Sequence, residues 1–187
     1  MDNLSSDQRA LLRNYYRLVL SYKDFKHAYK CAEWLAFQGD DYIPENGLAE
    51  SAYYSSAVVS YSRPFNSGGI SKHGKVPRLK FENLPESSNR ELEIHSYILL
   101  TRNELIAHTD ANAVNLEPII AADMPGSHVV PLVNDALAPF VTSYSTEFAN
   151  LAERWMIWVV EERHRIEPAV LPYLNRASWN KIHGIND

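Results

Sequence analysis

Arg102 and His108 lie near the end of the third predicted helix and have side chains that could do chemistry, the first as a cation for an anionic group and the second in proton transfer; Asn103 is the neighbour of Arg102. On a helix that turns by about 100° per residue, Arg102 falls between two apolar stripes. These stripes consist of Leu92, Leu99 and Ile106, and of Ile94, Ile98 and Leu105. A guanidinium in such a place is unfavourable unless it meets a carboxylate, a phosphate or water. The pattern therefore indicates either a phosphate-binding arginine or one that pairs with Glu153 or Glu161 inside the bundle.

His108 has a side chain suited to proton transfer, because the ordinary pKa of imidazole, about 6.5, lies near neutral pH. On a regular helix it would point about 120° away from Arg102. The two side chains converge if the helix ends or distorts near Ala107, or if two copies of the helix meet across a two-fold axis. Alternatively, His108 caps the helix C-terminus, where the helix dipole favours a cation and Asp110 offers a partner.

A basic segment without any acidic residue extends from residue 63 to residue 80. Its basic side chains are Arg63, Lys72, Lys75, Arg78 and Lys80, with His73 among them. The whole chain has a net charge of -5, so this local concentration of positive charge could guide a polyanion. The alternative is a solvated loop that merely happens to be basic.

Other candidate sites are weaker. Glu91 and His95 are spaced for one helix face, but two ligands do not make a metal site. The single cysteine, Cys31, excludes both an intrachain disulfide and a cysteine-based zinc site, and we expect it in the core. Phosphate-loop, dinucleotide-binding and serine-elbow motifs are absent from the sequence. We therefore expect neither a metal nor a cofactor.

Helical periodicity positions these residues. Ser5-Ser6-Asp7 is a plausible helix start, and apolar residues at steps of three and four then predict a helix to about Phe37. That stripe comprises Leu11, Tyr15, Leu18, Tyr22, Phe25, Tyr29, Ala32 and Ala36. Pro44 starts a second predicted helix, with Leu48, Ala52, Ser55 and Val59 on one face. It should stop near Arg63, because the residue before Pro64 disfavours helix.

The second half of the chain continues this pattern. Residues 64–87, rich in Gly and Pro, predict a long loop. Ser88 and Glu91 have the spacing of a capping box, which predicts a third helix to about His108. Residues 112–134 contain two β-prone segments, a small hairpin insertion, with Pro118 and Pro131 suited to edge strands. A fourth helix follows, and its stripe includes Trp155 and Trp158, which we expect in the core.

Composition is typical of a soluble globular domain. The chain has 187 residues, of which 45% are hydrophobic and 22% charged. Its longest apolar run, residues 155–160, is far below the roughly 20 residues of a membrane span. The N-terminus lacks the basic-then-apolar pattern of a signal peptide. We therefore predict a cytoplasmic, all-α protein that forms one domain over residues 1–187, a four-helix up-and-down bundle with a long basic loop and a small β-hairpin insertion.

Residues 102–108, Arg-Asn-Glu-Leu-Ile-Ala-His, followed by Thr109-Asp110, resemble the signature of the HEPN superfamily. That signature is an arginine, a polar residue that is often asparagine, a few further positions and a histidine, at the end of a long helix in a four-helix bundle. With His95 and Leu99 upstream, the arrangement is similar to bacterial members tied to abortive infection and toxin–antitoxin systems. The helical layout extends the resemblance over most of the chain, whereas the hairpin is not part of the minimal bundle.

The resemblance implies a homodimer in which two Arg/His pairs face each other across the interface and cut RNA without a metal. His108 would act as general acid or base on the 2′-OH and the leaving oxygen. Arg102 would stabilise the charge on the phosphorane, and Asn103 would orient one of the two or bind a phosphate oxygen. Contacts to the substrate would come from Arg63, Lys72, Lys75, Arg78 and His95, and an antitoxin protein is an expected partner.

Three hypotheses follow from this interpretation. The first is a metal-independent endoribonuclease of toxin or phage-defence type, which requires His108 near Arg102 in an open cleft. The second is a non-catalytic HEPN-like module that binds a nucleotide, RNA or a partner protein, with His108 turned away. The third is a structural dimer, in which Arg102 is buried in a salt bridge.

Overall fold

The computed structural model describes residues 4–38, 48–66, 69–71, 73–103, 117–121, 128–132 and 142–174. Four α-helices form most of this part of the chain: α1 (Ser6–Phe37), α2 (Leu48–Ser62), α3 (Asn89–Thr101) and α4 (Thr142–Val170). Two short antiparallel hairpins join β1 (Ile70–Ser71) to β2 (Gly74–Lys75), and β3 (Glu117–Ala121) to β4 (His128–Leu132). The helices pack against one another around a shared core, which confirms the predicted helical bundle with a hairpin insertion.

Helix α1 begins and ends where the sequence predicts. Ser5 caps it, since the Ser5 hydroxyl accepts a hydrogen bond from the Gln8 amide and the Gln8 side chain accepts one from the Ser5 amide. The buried stripe, however, is rotated from the predicted one. Its buried members are Leu12, Arg17, Leu18, Ser21, Phe25, Ala28, Cys31, Ala32 and Leu35, so several predicted tyrosines lie at its flanks. Cys31 is in the core, as expected.

Helix α2 ends at Ser62, and a 3-10 turn, Arg63–Phe65, follows it, in agreement with the predicted stop before Pro64. Its predicted start at Pro44 lies outside the described residues. The buried apolar face lies about 140° around the helix from the face of Leu48, Ala52, Ser55 and Val59. The buried apolar residues are Tyr54, Ala57, Val58 and Tyr61, whereas Ala52 is exposed. Large aromatic side chains thus take the core position, because they bury more apolar surface than alanine and serine do.

An aromatic cluster around Trp155 of α4 forms the centre of the core. Trp155 is fully buried and stacks on Phe25 of α1, with ring centroids 5.4 Å apart. The Phe65 ring meets it edge-on at 5.1 Å, and Trp158 does so at 5.3 Å. Trp158 itself is only half-buried, at the edge of this cluster. Contacts of this kind add to the hydrophobic burial of the rings and hold α1 to α4.

The segment between α2 and α3 was predicted as a loop, and it adds the small β1–β2 hairpin and short 3-10 turns to the bundle. It is fixed to α1 at several points. The Arg13 guanidinium donates to the His73 carbonyl at 3.0 Å, and the His73 ring stacks on Tyr16 with centroids 5.7 Å apart. Gly74 has a φ of 109°, a conformation that favours glycine. The segment is therefore anchored rather than loosely attached.

Strands β3 and β4 pair with Pro118 directly opposite Pro131. Proline cannot donate a ladder hydrogen bond, and a two-stranded hairpin has only edge strands, so both prolines are tolerated there, as the sequence predicted. Within the described ranges no helix is long and apolar enough to cross a membrane.

Candidate functional site

The C-terminal end of α3 carries the arginine and asparagine of the motif. Capping by Ser88 and Glu91 fixes the start of the helix, and its α-helical part ends at Thr101; the predicted end near His108 lies outside the described residues. Arg102 and Asn103 follow in a wider turn of the π type. The Arg102 Nη1 donates to the Asn103 Oδ1 at 2.9 Å. Arg102 is half-buried and Asn103 is exposed, so the two side chains form a polar pair at the protein surface.

Arg102 does not form the buried salt bridge with Glu153 or Glu161 that the sequence offered as an alternative. In the described part of the chain, neither Glu153 nor Glu161 forms an ion pair with it. Among the described residues of the two apolar stripes, Ile94 and Ile98 are buried, Leu99 is partly buried against the core, and Leu92 is 46% exposed. Arg102 therefore lies at the border of the core, with its guanidinium held by Asn103 in reach of an anionic ligand. His108 lies outside the described residues, so its convergence with Arg102 stays a prediction.

His95, predicted to contact substrate beside Arg102, lies in the aromatic core. It is only 7% exposed, and its Nδ1 is hydrogen-bonded to the Tyr61 hydroxyl at 3.1 Å. The rings of Phe65 and Phe81 contact it at centroid distances of 4.5 and 4.6 Å. Burial lowers the pKa of His95 to about 4, although Glu82 opposes the shift. The ring is therefore neutral at pH 7 and leaves little surface for a substrate.

The basic residues of segment 63–80 do not form one patch. Arg63 pairs with Asp24 of α1 at 3.3 Å, beside a groove between α1 and α2. Arg78, on the anchored segment that follows β2, lines a separate cavity next to α4. Lys75 is exposed on β2, whereas Lys72 lies outside the described residues. Of the predicted substrate-binding residues of this segment, Arg63 and Arg78 thus line two separate depressions, and Lys75 lines neither of them.

The α1–α2 groove is a basic depression of about 390 Å³. It is lined by Lys23, Asp24, Lys26, His27, Lys30, Ser56, Ser60 and Arg63. Four of these residues are Lys or Arg, and the single carboxylate, Asp24, already pairs with Arg63. Burial raises the pKa of Asp24, while Arg63 and the other neighbouring cations oppose that shift. Among its lining residues, the Ser56 hydroxyl and the His27 Nε2 are hydrogen-bonded at 2.7 Å. Such a surface suits the phosphates of a polyanion.

The sequence contains a signal for this groove that catalytic motifs do not reveal. Lys23, Lys26, His27 and Lys30 recur at steps of three and four, so they form a basic stripe on one face of α1. A prediction based on loops and on Arg/His pairs does not include it, because the stripe lies inside a predicted core helix. Helical spacing of basic residues would have shown it.

Metal binding finds no support in the described part of the chain, where no three His, Cys, Asp or Glu residues lie close enough to hold an ion. Glu91, the partner considered for His95, is instead paired with Arg154 of α4. Burial of the Glu91 carboxyl tends to raise its pKa, but hydrogen bonds from Ser88 and Arg154 outweigh burial and hold the pKa below its usual value.

Comparison with known proteins adds no further assignment. No protein-family model matches the chain, and neither a curated protein nor a solved structure is significantly similar to it.

Proposed function

We propose that this protein is a metal-independent endoribonuclease that cuts RNA at a site formed by Arg102, Asn103 and His108 at the interface of a homodimer. In this proposal His108 exchanges protons with the 2′-OH and the leaving oxygen. The Arg102 guanidinium stabilises the negative charge that develops on the phosphorane, and Asn103 holds that guanidinium in place. The chemistry of all three residues follows the HEPN resemblance of the motif.

The observation that carries the proposal is the Arg102–Asn103 pair at the end of α3. Asn103 offers the guanidinium a neutral amide oxygen at 2.9 Å, and no ion pair to Arg102 forms among the described residues. A guanidinium bound in this way keeps its full charge and most of its five N–H donors for another acceptor. A phosphate provides the bidentate partner that such a fork prefers.

The α1–α2 groove supports RNA as the ligand. Three of its cations lie on α1, and the fourth, Arg63, lies in the 3-10 turn after α2. The Arg63 side chain is 60% exposed, so it is open to a phosphate while it pairs with Asp24.

Exposed apolar side chains on α3 support the homodimer. Leu92 is 46% exposed and Leu100 is 51% exposed, on the helix that leads to Arg102. Pairing of this face with its copy would bury these side chains and bring two motifs together. It would also allow His108 of one copy and Arg102 of the other to form one site.

Cleavage of a mixed RNA pool in EDTA tests the proposal. Wild type should cut, whereas Arg102→Ala and His108→Ala should each reduce the rate about 100-fold or more, since removal of one charge-stabilising donor costs about 10²–10³ in rate. Arg165→Ala is the matched control, because Arg165 is an exposed arginine whose ion pair within the described ranges is with nearby Glu162. If the purified dimer leaves RNA intact, or both variants cut as fast as wild type, the proposed nuclease is wrong.

A second candidate function is a HEPN-like module that binds RNA, a nucleotide or a partner protein without cutting. The basic α1–α2 groove favours it, since the groove needs no His108 to hold phosphates. A gel-shift titration separates the two functions. Lys26→Gln combined with Lys30→Gln should weaken RNA binding for every sequence and flatten its salt dependence, by about 0.7 in log–log slope for each phosphate that is no longer neutralised. Intact RNA recovered from the shifted band would favour the module.

The biological role we propose is that of a cytoplasmic toxin or phage-defence factor, held inactive by an antitoxin protein. Induced expression should arrest growth with wild type and not with His108→Ala at equal protein level. Equal arrest by both proteins would contradict this role.

A further inference from the structure

A second polar cavity lies on the side of α1 that faces α4. It measures about 290 Å³ and is closed by the segment that follows β2. Its lining includes three cations, Arg17, Arg78 and Lys80, together with Asn83, Trp158 and Glu162. Among the described residues it shares none with the α1–α2 groove or with the Arg102–Asn103 pair.

Arg17 is the unusual residue of this cavity, because it is a charged side chain that is only 3% exposed. Its Nε donates to the Pro77 carbonyl, which fixes the segment after β2 to α1. Its Nη2 is buried and has no hydrogen-bond partner in the described part of the chain. Burial lowers the pKa of Arg17, and Asp24 opposes the shift only in part. The hydrogen bond to Pro77 satisfies the Nε of the guanidinium. The buried Nη2 has no such partner within the described ranges, and an anion would supply one.

Arg78 and Lys80 add two exposed cations on a fixed backbone. The Leu79 amide between them donates to the Pro64 carbonyl at 2.8 Å, and the Leu79 side chain is buried. The Lys80 amide donates to the Asn83 Oδ1 at 2.8 Å. Within the described ranges neither Arg78 nor Lys80 forms an ion pair. Both charges are therefore available to a ligand at the cavity.

The one acidic residue among the described residues that line the cavity is already neutralised. Both carboxylate oxygens of Glu162 accept hydrogen bonds from Arg165, at 2.7 and 2.6 Å. This pairing holds the pKa of Glu162 below its usual value, so the carboxylate stays ionised and bound to Arg165. The three cations thus leave a net positive site.

From these contacts we propose that the cavity binds the phosphomonoester of a nucleotide, either a free mononucleotide or the terminal phosphate of an RNA strand. The phosphate lies between Arg17, Arg78 and Lys80, and the base packs against Trp158, a half-buried indole on the cavity wall. The volume is near the lower end of the range of about 300–1,000 Å³ for ligand sites, which suits one nucleotide. Binding here is independent of RNA cleavage at Arg102.

Isothermal titration calorimetry on the full chain with AMP, adenosine and inorganic phosphate tests the site. AMP should bind, and adenosine should bind at least about tenfold more weakly, since charge-assisted hydrogen bonds to the phosphate supply the affinity. Arg78→Gln combined with Lys80→Gln should weaken AMP binding about tenfold or more, and both side chains are exposed, so the fold is kept. Lys26→Gln with Lys30→Gln, which removes two charges of the α1–α2 groove, is the comparison: if this variant weakens AMP binding and the Arg78/Lys80 variant does not, the nucleotide lies in that groove and the proposed site is wrong.

A short RNA with either a 5′-phosphate, a 3′-phosphate or hydroxyl ends identifies the source of the phosphate. Tighter binding of a phosphorylated RNA than of AMP assigns the site to RNA ends, and the reverse assigns it to free nucleotides. No binding of AMP or of any phosphorylated RNA would overturn the proposal, and so would equal binding by the Arg78/Lys80 variant. Arg102→Ala should bind AMP as wild type does, so loss of cleavage and loss of this site are separate results.

Discussion

The middle and the end of α3 place polar residues in opposite environments. In the middle of the helix, His95 is enclosed by Tyr61, Phe65 and Phe81 and is only 7% exposed. Near its end, Arg102 leaves the core and bonds to an exposed asparagine. One helix thus supplies a structural histidine and a surface arginine. Helical spacing alone therefore does not show whether a polar residue contacts a ligand or belongs to the core. That depends on which side chains from other elements pack around it.

The largest expected effect on stability separates the aromatic cluster, which encloses His95, from the end of α3, which carries Arg102. Trp155→Ala, which removes the centre of the aromatic cluster, should lower the free energy of unfolding by about 3–5 kcal/mol. Arg102→Ala should lower it by less than about 1 kcal/mol, because its guanidinium bonds only to a surface asparagine in the described chain. Urea denaturation followed by circular dichroism measures both. A loss at Arg102 as large as that at Trp155 would show that the arginine is part of the core.

A smaller effect is the acid sensitivity that His95 gives to the fold. The pKa of His95 is about 4 in the folded protein, below the value of about 6.5 expected when unfolded. Between these values the unfolded chain binds more protons. The contribution of neutral His95 to the free energy of unfolding is therefore complete above about pH 6.5. It is lost as the pH falls to 4, by about 3 kcal/mol in all.

His95→Gln provides the comparison for this prediction, because glutamine keeps a polar side chain without the titration. The stability difference between wild type and variant should shrink as the pH falls from 7 to 4, even though carboxylates titrate in both proteins. A difference that stays constant over this range would contradict the assigned pKa.

Sequence reasoning was most successful where local signals determine the structure. The Ser5 start, the stop before Pro64, the Ser88 capping box and the proline-bearing hairpin depend on a few neighbouring residues, and each was predicted. The inward faces of α1 and α2 were less accurate. Which face of a tyrosine-rich helix is buried depends on the partner helix, here on Trp155 and Phe148 of α4, and a single helix pattern does not contain that information.

The candidate sites were only partly accessible from sequence, for the same reason. Arg102 stood out because it interrupts an apolar pattern, and it does lie at the border of the core. The division of segment 63–80 between two depressions depends on how α1 passes beneath that segment. Arg17 was not predicted as a site residue, because an arginine inside a predicted core helix gives no sign that one of its nitrogens lacks a partner.

The smallest expected effect concerns the start of α3. The Ser88 hydroxyl accepts a hydrogen bond from the Glu91 amide at 3.2 Å. Ser88→Ala should therefore lower the free energy of unfolding by about 1 kcal/mol. Ser87→Ala is the matched control, because Ser87 precedes the cap and should change stability by less than about 0.5 kcal/mol. If the two ends of α3 act separately, Ser88→Ala should leave the cleavage rate per folded molecule unchanged, since Arg102 lies more than three turns away along the helix. A Ser88 variant that stays folded but no longer cuts RNA would show that the capped start of α3 positions Arg102. The two ends of the helix would then not act separately.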